Sequence, residues 1–163
     1  METATETRFG EILSWVEETG RAVGAFTCYD LLGFEAVVRT GESYRAPAIS
    51  LESPSSLHGH YSSTAEFDWG RLQEVRGRAP ALLYLHSASG LPEADLERAV
   101  SLGAAKFNVN TELRTAYFRR LGVDLSVKAE AVDLKGLGDG VVEAVQEVVE
   151  AKLCAFVWTR EEA

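Results

Sequence analysis

The alternation of strand-like and helix-like segments predicts an α/β fold with a parallel sheet. Three β-prone runs, "AVGAFTCYD", "ALLYLH" and "AAKFNVN", are each followed by a segment in which apolar residues recur at helical spacing. "APAISLES" is a further strand-like run, and Pro54 breaks it. Strands that take turns with helices form βα units, and such units place their strands in parallel.

Start and stop signals locate the helices between these strands. Gly20 ends the first helical segment, and Asp30 and Asp68 are suitable N-caps for the second and third. The glycine-rich "GLGDG", residues 136–140, follows no convincing strand and is interpreted as a loop and helix entry rather than a nucleotide-binding turn. The helical segments are expected at 6–19, 31–44, 69–78, 93–103 and, within a long tail that begins at Thr111, 139–156.

Composition limits the class of protein. The 163 residues, 46% hydrophobic and 25% charged, predict a single globular domain over 1–163. The net charge of -9 argues against a nucleic-acid partner, because phosphate contacts need clustered Lys and Arg. The acidic start "METATETRFGEIL" is unlike a signal peptide, and no apolar run approaches the length of about 20 residues that crosses a membrane. We therefore expect a cytoplasmic protein in which Cys28 and Cys154 are free, buried thiols.

Polar residues gather where the predicted strands end and the helices begin. They fall at 27–30, 53–61, 86–90 and 108–111. In parallel α/β sheets, ligands bind at the carboxyl ends of the strands. This coincidence favours a ligand site at one edge of the sheet.

The three histidines are candidate metal ligands. If "SLHGHY" is extended, His58 and His60 project to the same side, and a metal ion could bridge them to His86 at the next strand end. Neutral imidazoles suit zinc and similar divalent ions. Spacing alone also fits two incidental loop histidines and one core histidine.

Small and polar residues after two strands are candidates for binding an anion. In "SASG", the amide of Gly90 and the hydroxyl of Ser89 would donate to an anion such as phosphate, although an ordinary strand-to-helix turn has the same composition. In "NVNT", Asn108 and Asn110 fall on one face, and Thr111 either caps the next helix or binds phosphate.

Two acidic residues lie near the predicted strand ends. Asp30 and Glu52 could each act as a general base or as a further metal ligand. Helix capping by Asp30 and a solvated loop charge at Glu52 are the structural alternatives.

The segment "LYLHSASGLPEADLERAVSLGAAKFNVNTELRTAYF" closely resembles the C-terminal part of class II, metal-dependent fructose-bisphosphate and tagatose-bisphosphate aldolases. That family has a (β/α)8 barrel and a divalent metal, usually zinc, that polarises a ketose phosphate. The resemblance implies that the "LHSASG" histidine and an upstream His-Gly pair hold the metal, and that the turn and "NVNT" contact the phosphorylated substrate. The implied metal ligands are His58, beside Gly59, and His86, and the implied substrate contacts are Ser89, Gly90, Asn108, Asn110 and Thr111.

The chain departs from the family pattern in its middle. The His-x-Asp-His motif, which carries the proton-transfer Asp and a third metal ligand, has no counterpart, and neither does the Glu-bearing strand that follows it. Ser87 stands where the family generally has Gly. Similarity stops after "APAISLES" and resumes at "SLHGHY", so the third to fifth βα units are expected to be absent, with the join at 53–57.

What remains is expected to be a truncated TIM-barrel-like (βα)5 parallel sheet, either a partial barrel or a small closed one. Because cutting a barrel exposes strand edges and interior surface, a homodimer is expected to cover them.

The resemblance implies a metal-dependent lyase or isomerase with altered aldolase-like chemistry on a small phosphorylated or carbonyl-containing metabolite. Asp30 and His60 are the candidates to complete its catalytic site. The alternative is a non-catalytic relic that binds an anionic metabolite or a partner protein, and ordinary fructose-bisphosphate cleavage is the third choice.

Overall fold

A computed structural model describes residues 9–52, 69–78, 83–85 and 89–157 of the chain. Within these ranges six helices and four strands follow one another in an order that begins with a helix and ends with two. The elements are α1 (Phe9–Thr19), β1 (Val23–Cys28), α2 (Leu31–Ser43), β2 (Ala48–Glu52), α3 (Trp69–Arg78), β3 (Leu83–Leu85), α4 (Glu93–Ser101), β4 (Ala104–Val109), α5 (Thr111–Glu130) and α6 (Leu134–Ala155).

The four strands form one parallel sheet in the order β2-β1-β4-β3. The two central strands are therefore far apart in sequence, with Val23 of β1 paired with Lys106 of β4. The predicted parallel sheet is thus confirmed, and its order brings the last strands of the chain beside the first. Among the described strands the sheet is open, with β2 and β3 at its edges, and no closed barrel is formed. The fifth predicted strand, 56–61, lies outside the described residues.

The main core fills the space between one face of the sheet and helices α2, α4 and α6. Phe26 of β1 and Phe107 of β4 are fully buried there, and Phe156, just after α6, stacks on Phe107 with ring centroids 4.6 Å apart. A smaller cluster joins Val16 of α1 to Val23 of β1 and Ala105 of β4. Burial of large aromatic side chains supplies much of the hydrophobic stabilisation of such a domain.

Each predicted helix has a counterpart, but the last begins at Leu134 rather than at 139, and residues 6–8 and the expected N-cap Asp68 lie outside the described residues. The cap at Asp30 is as expected, since its Oδ1 accepts a hydrogen bond of 2.9 Å from the amide of Gly33. From Thr111 to Ala155 the tail is helical apart from a short turn at 131–133, where α5 ends and α6 begins. None of the helices within the described residues has the length and apolar character to cross a membrane.

Two expectations about the tail are wrong. Residues 136–140 lie inside α6 rather than in a loop, because Asp133 caps that helix through a 2.8 Å bond from the amide of Gly136. Gly140 lets α5 approach closely, since a Cβ there would lie 2.7 Å from Oδ2 of Asp124.

Cys28 is buried and free as expected, whereas Cys154 is free but exposed, because it falls on the outward side of α6.

Replacing Gly24 by Ala is expected to lower the free energy of unfolding by about 1–3 kcal/mol, because the core has no room for the extra methyl group. A Cβ at Gly24 would lie 2.4 Å from the buried ring of Phe26 and 3.2 Å from that of Phe156. Urea unfolding followed by circular dichroism measures the change. Gly122→Ala is the matched control, since a Cβ there meets nothing within 4 Å and the substitution favours helix α5. Equal stability of Gly24→Ala and the wild type would contradict the prediction.

Candidate functional site

The carboxyl edge of the sheet brings together side chains from three connections. The Tyr29 hydroxyl, after β1, donates to Oδ1 of Asn110, after β4, at 3.0 Å. The backbone amide of Asn110 donates to Oγ of Ser89, in the turn between β3 and α4, at 3.1 Å. Three of the predicted polar clusters therefore meet at one place, as expected for parallel strands.

Asp30 lies at this edge, and both of its carboxylate oxygens are in use. Oδ1 caps α2, and Oδ2 accepts a short hydrogen bond from the hydroxyl of Tyr117 on α5. Burial of the Tyr117 hydroxyl, together with the hydrogen bond to Asp30 and its negative charge, raises the pKa of Tyr117 to about 12. Tyr117 therefore stays protonated at neutral pH and holds Asp30 in a fixed orientation.

The amide of Gly90 is engaged by a side chain that sequence analysis did not single out. It donates to Oε1 of Glu112, in the first turn of α5, at 2.8 Å. Lys152 of α6 donates to the same oxygen at 3.0 Å, and its Nζ lies 2.8 Å from Oε2. That Oε2 atom is buried and has no hydrogen bond, so the ion pair offsets its desolvation. Glu112 therefore connects α5 both to the turn between β3 and α4 and to α6.

Lys152 is only 6% exposed, which is unusual for a lysine. In the sequence it follows Val145 and Val149 at helical spacing, on the stripe that α6 buries. In the sequence, the position of this lysine among the apolar residues of one helix face was the only indication that it has a buried carboxylate partner.

Asn108 faces away from the core, because Phe107 and Val109 on either side of it are buried against the helices. Its Oδ1 accepts a hydrogen bond of 2.9 Å from Lys106, two residues earlier on the same face. Lys106, which sequence analysis also missed, places a positive charge on this open face of the sheet.

Asn110 and Thr111 lie at the start of α5, where the capping role considered for Thr111 is not observed. Asn110 occupies the N-cap position of α5, without a capping bond from its side chain, and Thr111 is the first helical residue. The carbonyl of Thr111 accepts from the hydroxyl of Thr115, one turn later. Thr111 therefore does not cap the helix.

The predicted histidine cluster lies outside the described residues, as His58, Gly59, His60 and His86 all do. Glu52 is the last residue of β2, where its backbone is paired with Cys28. Within the described ranges, no group of three or more His, Cys, Asp or Glu side chains is arranged to hold a metal ion. Asp30 fits a metal poorly, because each of its oxygens already accepts a hydrogen bond.

Glu112→Gln is expected to lower the free energy of unfolding by about 2–3 kcal/mol, because it leaves the buried Lys152 charge unpaired. Gln keeps an oxygen that accepts the hydrogen bond from the Gly90 amide, so the loss of stability measures the contribution of the ion pair with Lys152. Chemical denaturation at pH 7 measures it.

The exposed pair Lys135–Asp139 provides the control, and Asp139→Asn is expected to leave stability unchanged. A Glu112→Gln protein as stable as the Asp139→Asn protein would show that the pair contributes nothing.

Comparison with known proteins places this arrangement in a family. The sequence model of class II fructose-bisphosphate aldolase matches residues 53–159, well over half of the chain. The probable fructose-bisphosphate aldolase of Bacillus subtilis (strain 168) is 32% identical over 122 residues, which are 75% of this chain and 41% of that protein. The chain thus spans less than half the length of this relative.

Solved structures agree in fold. The YdjI aldolase of Escherichia coli K12 superimposes with a TM-score of 0.74 at 15% identity, over 90% of this chain and 95% of that one. A Coccidioides immitis protein described as a putative fructose-1,6-biphosphate aldolase superimposes with a TM-score of 0.77 at 16% identity. The superposition covers 92% of this chain and 96% of that one. At such low identity these structures support the fold alone. The family-model match to residues 53–159 carries the assignment, and the chain belongs to the class II fructose-bisphosphate aldolase family.

Proposed function

We propose that this chain acts on a small phosphorylated or carbonyl-containing metabolite as a metal-dependent aldolase-like lyase or isomerase with altered chemistry. The observation that carries the proposal is the convergence of Tyr29, Ser89 and Asn110 at the carboxyl edge of an aldolase-like sheet. The altered chemistry follows from the sequence, which has no His-x-Asp-His motif. We place the activity in the cytoplasm.

The substrate anion would bind at the turn after β3 and at the start of α5. Ser89 and Gly90 offer a hydroxyl and a turn backbone, and Asn110 and Thr111 lie at the positive end of the α5 dipole. An anion that reached the Gly90 amide would compete with Glu112 for it. Asn108, with Lys106 beside it, would extend the site across the open face of the sheet, and Gly59 is the remaining substrate-contact candidate.

His58 and His86 would hold a divalent metal, of which zinc is the first candidate because imidazoles suit it. The metal, when bound, supplies a Lewis acid that polarises a carbonyl oxygen. Asp30 and His60 are the candidates to move a proton. Tyr117, held protonated against Asp30, would keep that carboxylate in place.

Metal analysis of the purified protein tests the proposal. We expect about one divalent ion per chain, lost in His58→Ala and in His86→Ala, because each removes a ligand. Inorganic phosphate binding, measured by calorimetry, is expected to weaken in the same two variants. Cys154→Ser, a change at an exposed residue, is the control.

Protein without zinc, manganese or iron, together with unchanged phosphate binding in both histidine variants, would refute the enzyme and leave a non-catalytic binder. A coupled assay with fructose bisphosphate separates altered chemistry from ordinary cleavage, for which we expect no activity above background.

A homodimer is part of the proposal. Helix α5 exposes half or more of four large apolar side chains, and within the described residues β2 and β3 leave open strand edges. The exposed side chains are Phe118, Val123, Leu125 and Val127.

Light scattering after gel filtration is expected to give twice the chain mass at micromolar concentration. The double change Val123→Asp and Val127→Asp is expected to give a monomer, because it places two charges one helical turn apart on the apolar surface. Val157→Asp, at an exposed valine outside α5, is the matched control. A wild-type protein of single-chain mass would exclude the dimer.

A further inference from the structure

A cavity of about 360 Å³ lies beside the candidate site, between the carboxyl end of β1 and helices α2, α5 and α6. Its walls are mainly apolar and come from Leu113, Phe118 and Leu121 of α5 and Val145 of α6. Cys28 and Gly33 line it on the side of β1 and α2.

The polar groups at the cavity are already bonded to one another. Asp30 accepts from Gly33 and from Tyr117, and the Tyr29 hydroxyl donates to Asn110. The guanidinium of Arg114 lies over the Tyr29 ring, 5.4 Å from its centroid. A ligand that entered would meet mainly apolar surface, and the oxygens of Asp30 are already engaged in hydrogen bonds.

Size indicates what kind of molecule fits. A dry, apolar cavity of about 150 Å³ holds benzene, and pockets for larger organic ligands begin at about 300 Å³. A cavity of 360 Å³ therefore suits two or three fused or linked rings and is too small for a folded protein segment. The cavity is open to solvent on one side, where Phe118 is exposed, and an apolar occupant would bind favourably by removing its mainly apolar walls from water.

Charge decides between ligand classes. The lining holds one charge of each sign, because Arg114 lies there as well as Asp30. An anion would meet the Asp30 carboxylate and a cation would meet the Arg114 guanidinium, so an ion of either sign would lose hydration against mainly apolar walls. We propose that this cavity is a binding site for a small, uncharged, largely apolar ring compound. This ligand class is distinct from the phosphorylated substrate of the proposed function, and the site does not require that function.

Two fluorescent probes that share one ring system test the assignment. N-phenyl-1-naphthylamine is neutral, whereas 8-anilinonaphthalene-1-sulfonate carries a sulfonate on the same framework. We expect the neutral probe to bind the full chain with one site, and the sulfonate to bind at least about tenfold more weakly, because its charge would lose hydration against apolar walls.

Filling the cavity is expected to remove this binding. Val145→Phe and Leu121→Trp each add a ring to the wall and are expected to weaken binding of the neutral probe by about tenfold or more. Circular dichroism identifies which of the two variants folds, and either one suffices. Val157→Ser removes exposed apolar surface outside both the cavity and the apolar surface of α5, and is expected to leave the affinity unchanged.

Absence of one-site binding by the wild type would overturn the proposal. So would equal affinity for the two probes, unchanged binding in a folded cavity-filling variant, or loss of binding in the Val157→Ser control. Since metal and phosphate play no part in these measurements, their outcome is separate from that of the proposed function.

Discussion

The burial of Lys152 is the constraint on which the rest of the candidate site depends. An ammonium group enclosed by the α6 stripe must be paired, because an isolated charge in an apolar environment is strongly unfavourable. Its partner Glu112 also accepts from the Gly90 amide. One ion pair therefore fixes the position of α5 against α6 and the position of the turn after β3 against both. The core and the site are built as a single unit.

The polar groups at the carboxyl edge of the sheet are therefore hydrogen-bonded to one another before any ligand binds. Ser89, Asn110 and Tyr29 form one chain of hydrogen bonds, and Gly33, Asp30 and Tyr117 form a second. Such preorganised networks hold side chains in place at little further entropic cost when a substrate binds. A ligand here gains affinity by adding to these bonds or by exchanging with them, and Glu112 is the group that an incoming anion would exchange with.

The sequence was sufficient for features that depend on local chemistry. Alternating segments predicted the βα units, and the position of Asp30 before a helix predicted its capping bond. It was not sufficient where tertiary packing decides. A glycine-rich run such as 136–140 looks the same in a loop as in a helix that lies close to a neighbour, and only the approach of α5 to Gly140 distinguishes them. The pairing of Glu112 with Lys152 joins two helices whose relative rotation no local pattern encodes.

The central place of β1 and β4 also has a consequence for how the chain folds. Val23 cannot meet its partner Lys106 until most of the chain has been synthesised, so the middle of the sheet is formed by contacts of long sequence separation. Until then β1 can pair with β2 alone, and a two-stranded ribbon is marginally stable in water. We expect a nascent chain that ends before β4 to expose an apolar strand edge, so the interval before β4 is synthesised is the one most vulnerable to aggregation.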